Sequence, residues 1–373
     1  MSLYVRGDYS CCPNPLSADS YSICPYQCSF CLLHGMYETY LKNKYKKGLH
    51  PIDTKNLHTT LKRAFGVRRE SNNPVVKALR YGLPVIVGRK CEPFCESEKY
   101  FKATLKVMGL LKEYDVPTVV ETKCEPFLQE HIDQLSELDA GVNVTITPGD
   151  DSLASQLGEP TSYSNRLEFA KELKEIGLWV GITGEPIISG VNDSHTFLVA
   201  WTQDCANLKP SHVNFGDLRV SNLSGMSKRM DDAGFDLAKI FEQKRNTWIQ
   251  TGETIFDLLH QHNLLVTTPD WVNFAVKNDI ESCCGFMGVK FKFHPFTFQH
   301  AVGEIKRNGK VTFSEILKGN PFGEKYVEKF RDIWNGKGGY FNLSDVKGVS
   351  RLGKDGDGNV IYGKAKTLKD VFI

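Results

Sequence analysis

Between residues 80 and 220 short apolar runs alternate with longer amphipathic stretches. The runs are Pro84 to Lys90, Pro117 to Lys123, Val142 to Pro148, Trp179 to Pro186 and His212 to Asp217, and their starts lie 33, 25, 37 and 33 residues apart. They are rich in Val, Ile and Thr and bounded by Pro or Gly, which predicts buried strands with room for one helix between each pair. Leu128, Ile132, Leu135 and Leu138 recur at helical spacing, as do Leu167, Ala170 and Leu173 before a stop at Gly177, and these stripes predict core-facing helices. The result is a parallel sheet of repeated βα units. The motif Lys-Cys-Glu-Pro-Phe occurs twice, at Lys90–Phe94 and Lys123–Phe127. If both copies end strands, Cys91 and Cys124 lie side by side on the rim where barrel enzymes place their chemistry.

After residue 220 the pattern changes to a helical stretch around Glu253–His262, a short run Leu264–Trp271, and an alternating segment Phe291–Lys310 broken at Asn308-Gly309, a hairpin signal. The expected fold class is therefore α/β: a partial (β/α)6 TIM-type barrel of parallel strands over residues 1–220. Residues 221–373 form a C-terminal appendage, containing a β-hairpin, that closes the barrel or contacts substrate. Asp355-Gly-Asp357-Gly-Asn359 imitates a calcium loop, but Val360 and Lys366 stand where Gly and Glu are required, so a turn is expected.

Composition adds a soluble globular profile: 373 residues, 41% hydrophobic and 24% charged, with 46 basic against 44 acidic side chains. No segment approaches ~20 uninterrupted apolar residues, and the N-terminus lacks a basic region followed by an apolar run. A cytoplasmic protein without a membrane role is expected. The neutral total hides two basic segments. Residues 301–373 carry 14 Lys and Arg against 9 Asp and Glu, and residues 41–70 carry 9 against 2. They are compatible with a phosphate-bearing partner and equally with solvated faces.

Eleven cysteines, odd in number and clustered, suit metal or redox chemistry better than a disulfide framework in a chain this long. The sharpest cluster is Cys24-Pro-Tyr-Gln-Cys28-Ser-Phe-Cys31, directly after the short run Ser20–Ile23. Three thiolates within eight residues supply three corners of one centre. On a four-iron, four-sulfur cluster they leave one iron open to a small molecule. The alternative is structural zinc with His34 as fourth ligand.

CxxxCxxC with an aromatic before its last cysteine, ahead of a βα-repeat chain, resembles the radical S-adenosylmethionine enzymes. The resemblance runs from about Asn14 to Asn192 and is nearest to spore photoproduct lyase and its relatives. Asn14-Pro15, Glu159-Pro160 with Arg166, and the stretch Pro186–Asp193 stand where that group has similar residues. It implies that Cys24, Cys28 and Cys31 ligate a [4Fe–4S] cluster whose fourth iron binds S-adenosylmethionine. Reductive cleavage then yields a 5′-deoxyadenosyl radical that abstracts hydrogen from substrate. It further implies that Lys123 and Thr145 hold the cofactor's carboxylate, a task suited to a cation and a hydroxyl donor. Arg166 serves the same group or is a surface charge. An external electron donor of flavodoxin or ferredoxin type is implied as well.

Cys91 matches the family's hydrogen-atom donor after the second strand, although the interval from Cys31 is long. Ligation of a second metal with Cys95 or Cys124, and plain burial, remain open. Thr183-Gly-Glu185-Pro186 imitates the superfamily's Gly-Gly-Glu-Pro motif but lies on a later strand, so that role is not carried over. Cys283-Cys284 has no spaced partner. The expected substrate is a nucleic acid base or nucleotide, plausibly a thymine-derived group in DNA, undergoing repair or modification by a lyase-like or base-modifying enzyme. Aromatics such as those of Phe291–Phe298 would help extract a base from its stack. The alternatives are the same chemistry on a peptide or small metabolite, and a non-catalytic iron–sulfur or zinc protein.

Overall fold

The structure is a computed structural model, and it describes residues 3–5, 16–34, 48–66, 71, 73–80, 84–126, 128–138, 140–219, 223–262, 264, 266–267, 301, 304–305, 308–317, 331–332, 334–336, 343–345 and 349–364. The five strands predicted between residues 80 and 220 are all present. In chain order the main sheet comprises β1 (Leu3–Val5), β2 (Leu16–Ala18), β3 (Val85–Val87), β4 (Thr118–Thr122), β5 (Gly141–Thr145), β6 (Trp179–Ile187), β7 (His212–Asp217) and β8 (Val266–Thr267). They lie side by side in sequence order. β1 pairs antiparallel with β2, and every later neighbour is parallel. Seven parallel strands in this order make a partial TIM-type barrel, with β8 continuing the sheet beyond the six expected.

The helices are α1 (Thr54–Phe65), α2 (Pro74–Arg80), α3 (Glu98–Phe101), α4 (Ala103–Glu113), α5 (Gln129–Leu138), α6 (Asp151–Gln156), α7 (Tyr163–Glu175), α8 (His195–Leu208), α9 (Leu223–Asp232) and α10 (Leu237–Gln261). Because helices cover one face of a parallel sheet and the barrel interior the other, strands are buried on both faces and read as continuous apolar runs. Val85 and Val87 join the large core with Leu57 and Leu61 of α1, whereas Ile86 between them packs with Val119 and Trp179. Among the described residues no helix is long and apolar enough to cross a membrane.

Two boundaries differ from expectation. The strand before the cysteine loop is Leu16–Ala18 rather than Ser20–Ile23. The latter run leaves the sheet because its backbone is satisfied elsewhere: Ile52 N–H donates to Ser20 O (2.9 Å) and Ser22 N–H to His50 O (3.0 Å). Asn308-Gly309 is not a hairpin turn. It ends a helical turn, with Gly309 at φ +79° donating to Ile305 O (2.9 Å), an ordinary glycine stop.

The C-terminal hairpin instead joins β10 (Val349–Lys354) to β11 (Val360–Lys364), with β9 (Lys310–Val311) on the other side of β11. Its turn is the aspartate-rich Asp355–Asn359, where the Asp355 carboxylate accepts from Asp357 N–H (3.0 Å) and Asn359 N–H (2.9 Å). The segment Phe291–Phe298, Cys283-Cys284 and Asn14-Pro15 lie outside the described residues.

The barrel's lower end is packed by Trp179 and His212, stacked at 5.0 Å, beside Asn143. A Cβ at Gly181 would come within 2.3 Å of both Asn143 Oδ1 and the His212 ring, so only glycine fits there. Burial pushes the His212 pKa down to about 3. The folded state therefore resists a proton that the unfolded chain takes up near pH 6.5. Above pH 6.5 the folded state carries no penalty from this group, and stability falls as pH drops from 6.5 towards 3, by at most ~1.4 kcal/mol per pH unit. Thermal melts of the protein and of His212→Gln between pH 7 and 4.5 should show the shallower decline in the variant.

Candidate active site

A cavity of ≈230 Å³ opens at the carboxyl ends of β3 to β6. Its wall includes Cys24, Cys28, Cys31, Cys91, Lys123 and Thr145, six of the seven residues singled out from the sequence. The three loop cysteines are free of disulfides. Their loop is fastened at four points: Cys31 N–H donates to Cys28 O (3.0 Å), Ser29 N–H to Leu157 O (2.9 Å), the Arg229 guanidinium to Cys31 O (3.0 Å), and the His34 ring Nε2 meets Tyr26 O. Cys28 and Phe30 pack against Leu153 and Leu157 at the end of α6, whose start is capped by Asp150 accepting from Leu153 N–H (2.8 Å). Burial pushes the Cys24 thiol up to about 12 and raises Cys28 too; the neighbouring loop thiols add repulsion in both cases.

Behind the opposite wall lies a buried charge cluster. Lys123, one residue past β4, places Nζ 2.7 Å from Glu159 Oε1 and 5.2 Å from the centre of the Phe30 ring. Arg166 reaches Glu159 Oε2 from the other side and donates through Nη1 to Thr145 O (3.1 Å). Arg166 is buried rather than a surface charge. It stands behind Thr145 and Glu159, off the cavity wall. α7 aims it inward because Ser162 caps that helix, accepting from Asn165 N–H (3.2 Å), and Arg166 Nε donates to Ser162 O (3.2 Å). Burial alone would raise the Glu159 carboxyl, but the Lys123 and Arg166 charges outweigh it and hold it below the usual range.

Sequence reasoning missed Glu92 and the pair Arg89–Glu121 (3.2 Å), all on the cavity wall. Glu92 sits inside the Lys-Cys-Glu-Pro-Phe repeat, so the signal was present but was read for its cysteine. Its buried carboxylate accepts from Thr122 Oγ1, Lys123 N–H (2.8 Å) and Phe94 N–H (3.2 Å). Burial raises its pKa to about 7 against these bonds. Thr183 and Glu185, set aside on the sequence, also line the cavity, with Asn214 Nδ2 donating to Glu185 Oε1 (2.8 Å).

Cys91 is buried in a small cluster with Tyr21, Cys95 and Ala103, against which Cys24 and Tyr26 pack; burial holds its thiol well above the ordinary value. Cys124 is not its companion. It lies off the cavity wall in the main core, where its thiol meets the Tyr26 side chain.

No family model matches the chain, and no curated protein matches it. Among solved structures it is similar to spore photoproduct lyase complexed with dinucleoside spore photoproduct, at 12% identity and a TM-score of 0.53, over 71% of this chain and 78% of that chain. The chain shares the fold of that structure. Similarity also extends to Streptococcus suis SuiB bound to precursor peptide SuiA (14% identity, TM-score 0.43, 77% of this chain and 55% of that one). A third match is methylornithine synthase (PylB), at 14% identity and a TM-score of 0.43, over 67% of this chain and 64% of that one. The chain thus spans about half the length of the SuiB structures.

The resemblance carried by the Cys24–Cys31 loop implies a four-iron cluster and its sulfonium cofactor, and the donor set here suits them. Among the described residues no three His, Cys, Asp or Glu side chains are gathered to share a single metal ion. One tetrahedral ion with bonds of about 2.3 Å draws its sulfurs to within ~4 Å of one another. A cluster instead takes each cysteine on a separate iron. Three thiols free of disulfides, all on one cavity wall, supply the ligands such a cluster takes from the protein. His34, engaged by the Tyr26 carbonyl and off that wall, is not placed as a zinc ligand. Cys91 and Cys95 share a small buried cluster, and Cys124 belongs to the main core.

Proposed function

We propose that this protein is a radical S-adenosylmethionine enzyme acting on a nucleic acid base or nucleotide. The observation that carries the reading is the single cavity at the strand ends into which Cys24, Cys28, Cys31, Lys123, Thr145 and Cys91 converge from four different βα units. When bound, the cluster and cofactor supply one-electron cleavage of a sulfonium to give a carbon radical able to abstract hydrogen. The chain's own residues do the rest. Cys24, Cys28 and Cys31 ligate three irons. Lys123 and the Thr145 hydroxyl bind the cofactor's carboxylate by charge-assisted hydrogen bonds. Arg166 supports them from behind by fixing the Thr145 carbonyl and Glu159. Cys91, kept as a neutral thiol by burial, gives its S–H hydrogen atom to the product radical, and the thiyl left behind is restored by one electron from the external donor and a proton.

The substrate assignment draws support from the dinucleoside in the spore photoproduct lyase complex and from the two basic segments of the sequence. Anaerobic reconstitution with S-adenosylmethionine, reductant and deuterated substrates tests it. Deuterium should enter 5′-deoxyadenosine from an oligonucleotide or nucleotide, and entry only from a peptide would sink the assignment. Cys91→Ala should leave cofactor cleavage intact while the yield of the normal product falls and by-products of the unquenched radical appear. Unchanged yield and product distribution would remove Cys91 from the mechanism.

A further inference from the structure

Tyr100 is the most exposed large apolar side chain among the described residues, 80% accessible, and Phe101 beside it is 41% accessible. Both sit on α3, in the loop whose preceding half, Cys91–Glu92, lines the cavity. Their exposure does not come from a loosely held turn. The turn is anchored by buried Glu98, which accepts from Tyr21 Oη, from Thr104 N–H (2.8 Å) and from the His131 ring (2.8 Å). Lys102 Nζ reaches Glu130 (2.6 Å) and Lys106 Nζ donates to Phe101 O (3.0 Å), tying the neighbouring chain down as well. A rigid loop that presents two adjacent aromatics to water forgoes the stabilisation their burial would bring.

The surroundings fit one kind of occupant. Lys99, Lys102 and Lys106 flank the aromatics; Glu96 and Glu130 offset part of their charge, and Glu98 is buried and fully engaged. An aromatic platform with a cationic margin matches the faces of unstacked bases and the phosphates between them. The platform is also continuous with the candidate site. Phe101 meets Tyr21 edge to face at 6.5 Å, and Tyr21 packs with Cys91.

We propose that Tyr100 and Phe101 form a stacking platform for single-stranded nucleic acid, seating a strand on the rim so that a neighbouring base reaches the cavity. The inference rests on the nucleic-acid reading of the function. Fluorescence anisotropy with labelled oligothymidylate at low salt, single-stranded and duplex, tests it on the reconstituted protein. Tyr100→Ala with Phe101→Ala should weaken single-strand binding roughly 5- to 100-fold. Tyr100→Phe, which keeps a ring, should bind nearly as wild type, and Lys99→Gln should flatten the salt dependence. Release of 5′-deoxyadenosine without oligonucleotide should not change in any of them. Equal binding by wild type and the double alanine variant would overturn the platform while leaving the nucleic-acid reading standing. Absence of any oligonucleotide binding by wild type would overturn both. Slower cluster reduction by an acidic flavodoxin-type donor, with oligonucleotide affinity intact, would reassign the patch to a protein partner and overturn the proposal.

Discussion

Cys28→Ala is expected to abolish cofactor cleavage and the visible absorption of the reconstituted protein, while the metal-free chain keeps its fold. Cys28 occupies the middle of the loop, buried against Phe30, Leu153 and Leu157, and faces the cavity together with Cys24 and Cys31. With one of three thiolates gone, a cluster retains only two protein ligands. The loss should go well beyond the roughly 10–100-fold that removal of a metal's outer hydrogen-bond partner costs. Trimming a buried thiol to a methyl should change metal-free stability by only about 1 kcal/mol. Iron analysis, 5′-deoxyadenosine release and a thermal melt separate these effects. Full iron content with normal cleavage in the variant would show that the loop is not the ligand set.

The second large effect is expected at Glu159, through stability as well as affinity. Its carboxylate is completely buried between Lys123 and Arg166, themselves 18% and 1% accessible. Breaking such an arrangement from one side leaves positive charge without a counterion in a poorly solvated site, which costs about 3–5 kcal/mol. At roughly 2–4 °C per kcal/mol for a large domain, Glu159→Ala should lower the melting temperature by about 6–20 °C. Glu159→Gln keeps the shape and should lose less. The paired change Glu159→Gln with Arg166→Met should cost less than the sum of the two single changes, because it removes the stranded cation along with its partner. Equilibrium binding of S-adenosylmethionine should weaken in Glu159→Gln even where the protein remains folded, since Lys123 Nζ is no longer held 2.7 Å from a fixed carboxylate. Unchanged affinity together with lowered stability would leave Glu159 a purely structural residue.

The cysteine loop was legible because its spacing is local: three residues within eight need no knowledge of the fold to be seen as one donor set. Lys123 and Thr145 came from the family resemblance, which matched them to positions at the end of one predicted strand and within the next, and both stand on the cavity wall. Glu92 shows the limit of that signal. Its motif was noticed, but only the folded chain brings Thr122 and the Lys123 N–H onto its carboxylate, 30 residues away along the sequence. Arg166 shows another limit. In the first turn of an amphipathic helix, surface and interior placements look alike, and the decision lay with the buried Glu159 that receives it. The hairpin was misplaced because Asn-Gly serves both as a two-residue turn and as a helix stop, and pairing with distant strands is what distinguishes them.

Period, run length and spacing were enough by themselves to specify a parallel βα barrel with a trio of thiols at its mouth, because strands buried on both faces and local ligand motifs leave their mark on neighbouring residues. Only the tertiary structure decided which charges neutralise one another, which cysteines share a wall, and which aromatics face water. Those properties depend on contacts between residues far apart in the chain, and burial, which sets both the worth of a charge pair and the state of a thiol, is a property of the assembled core.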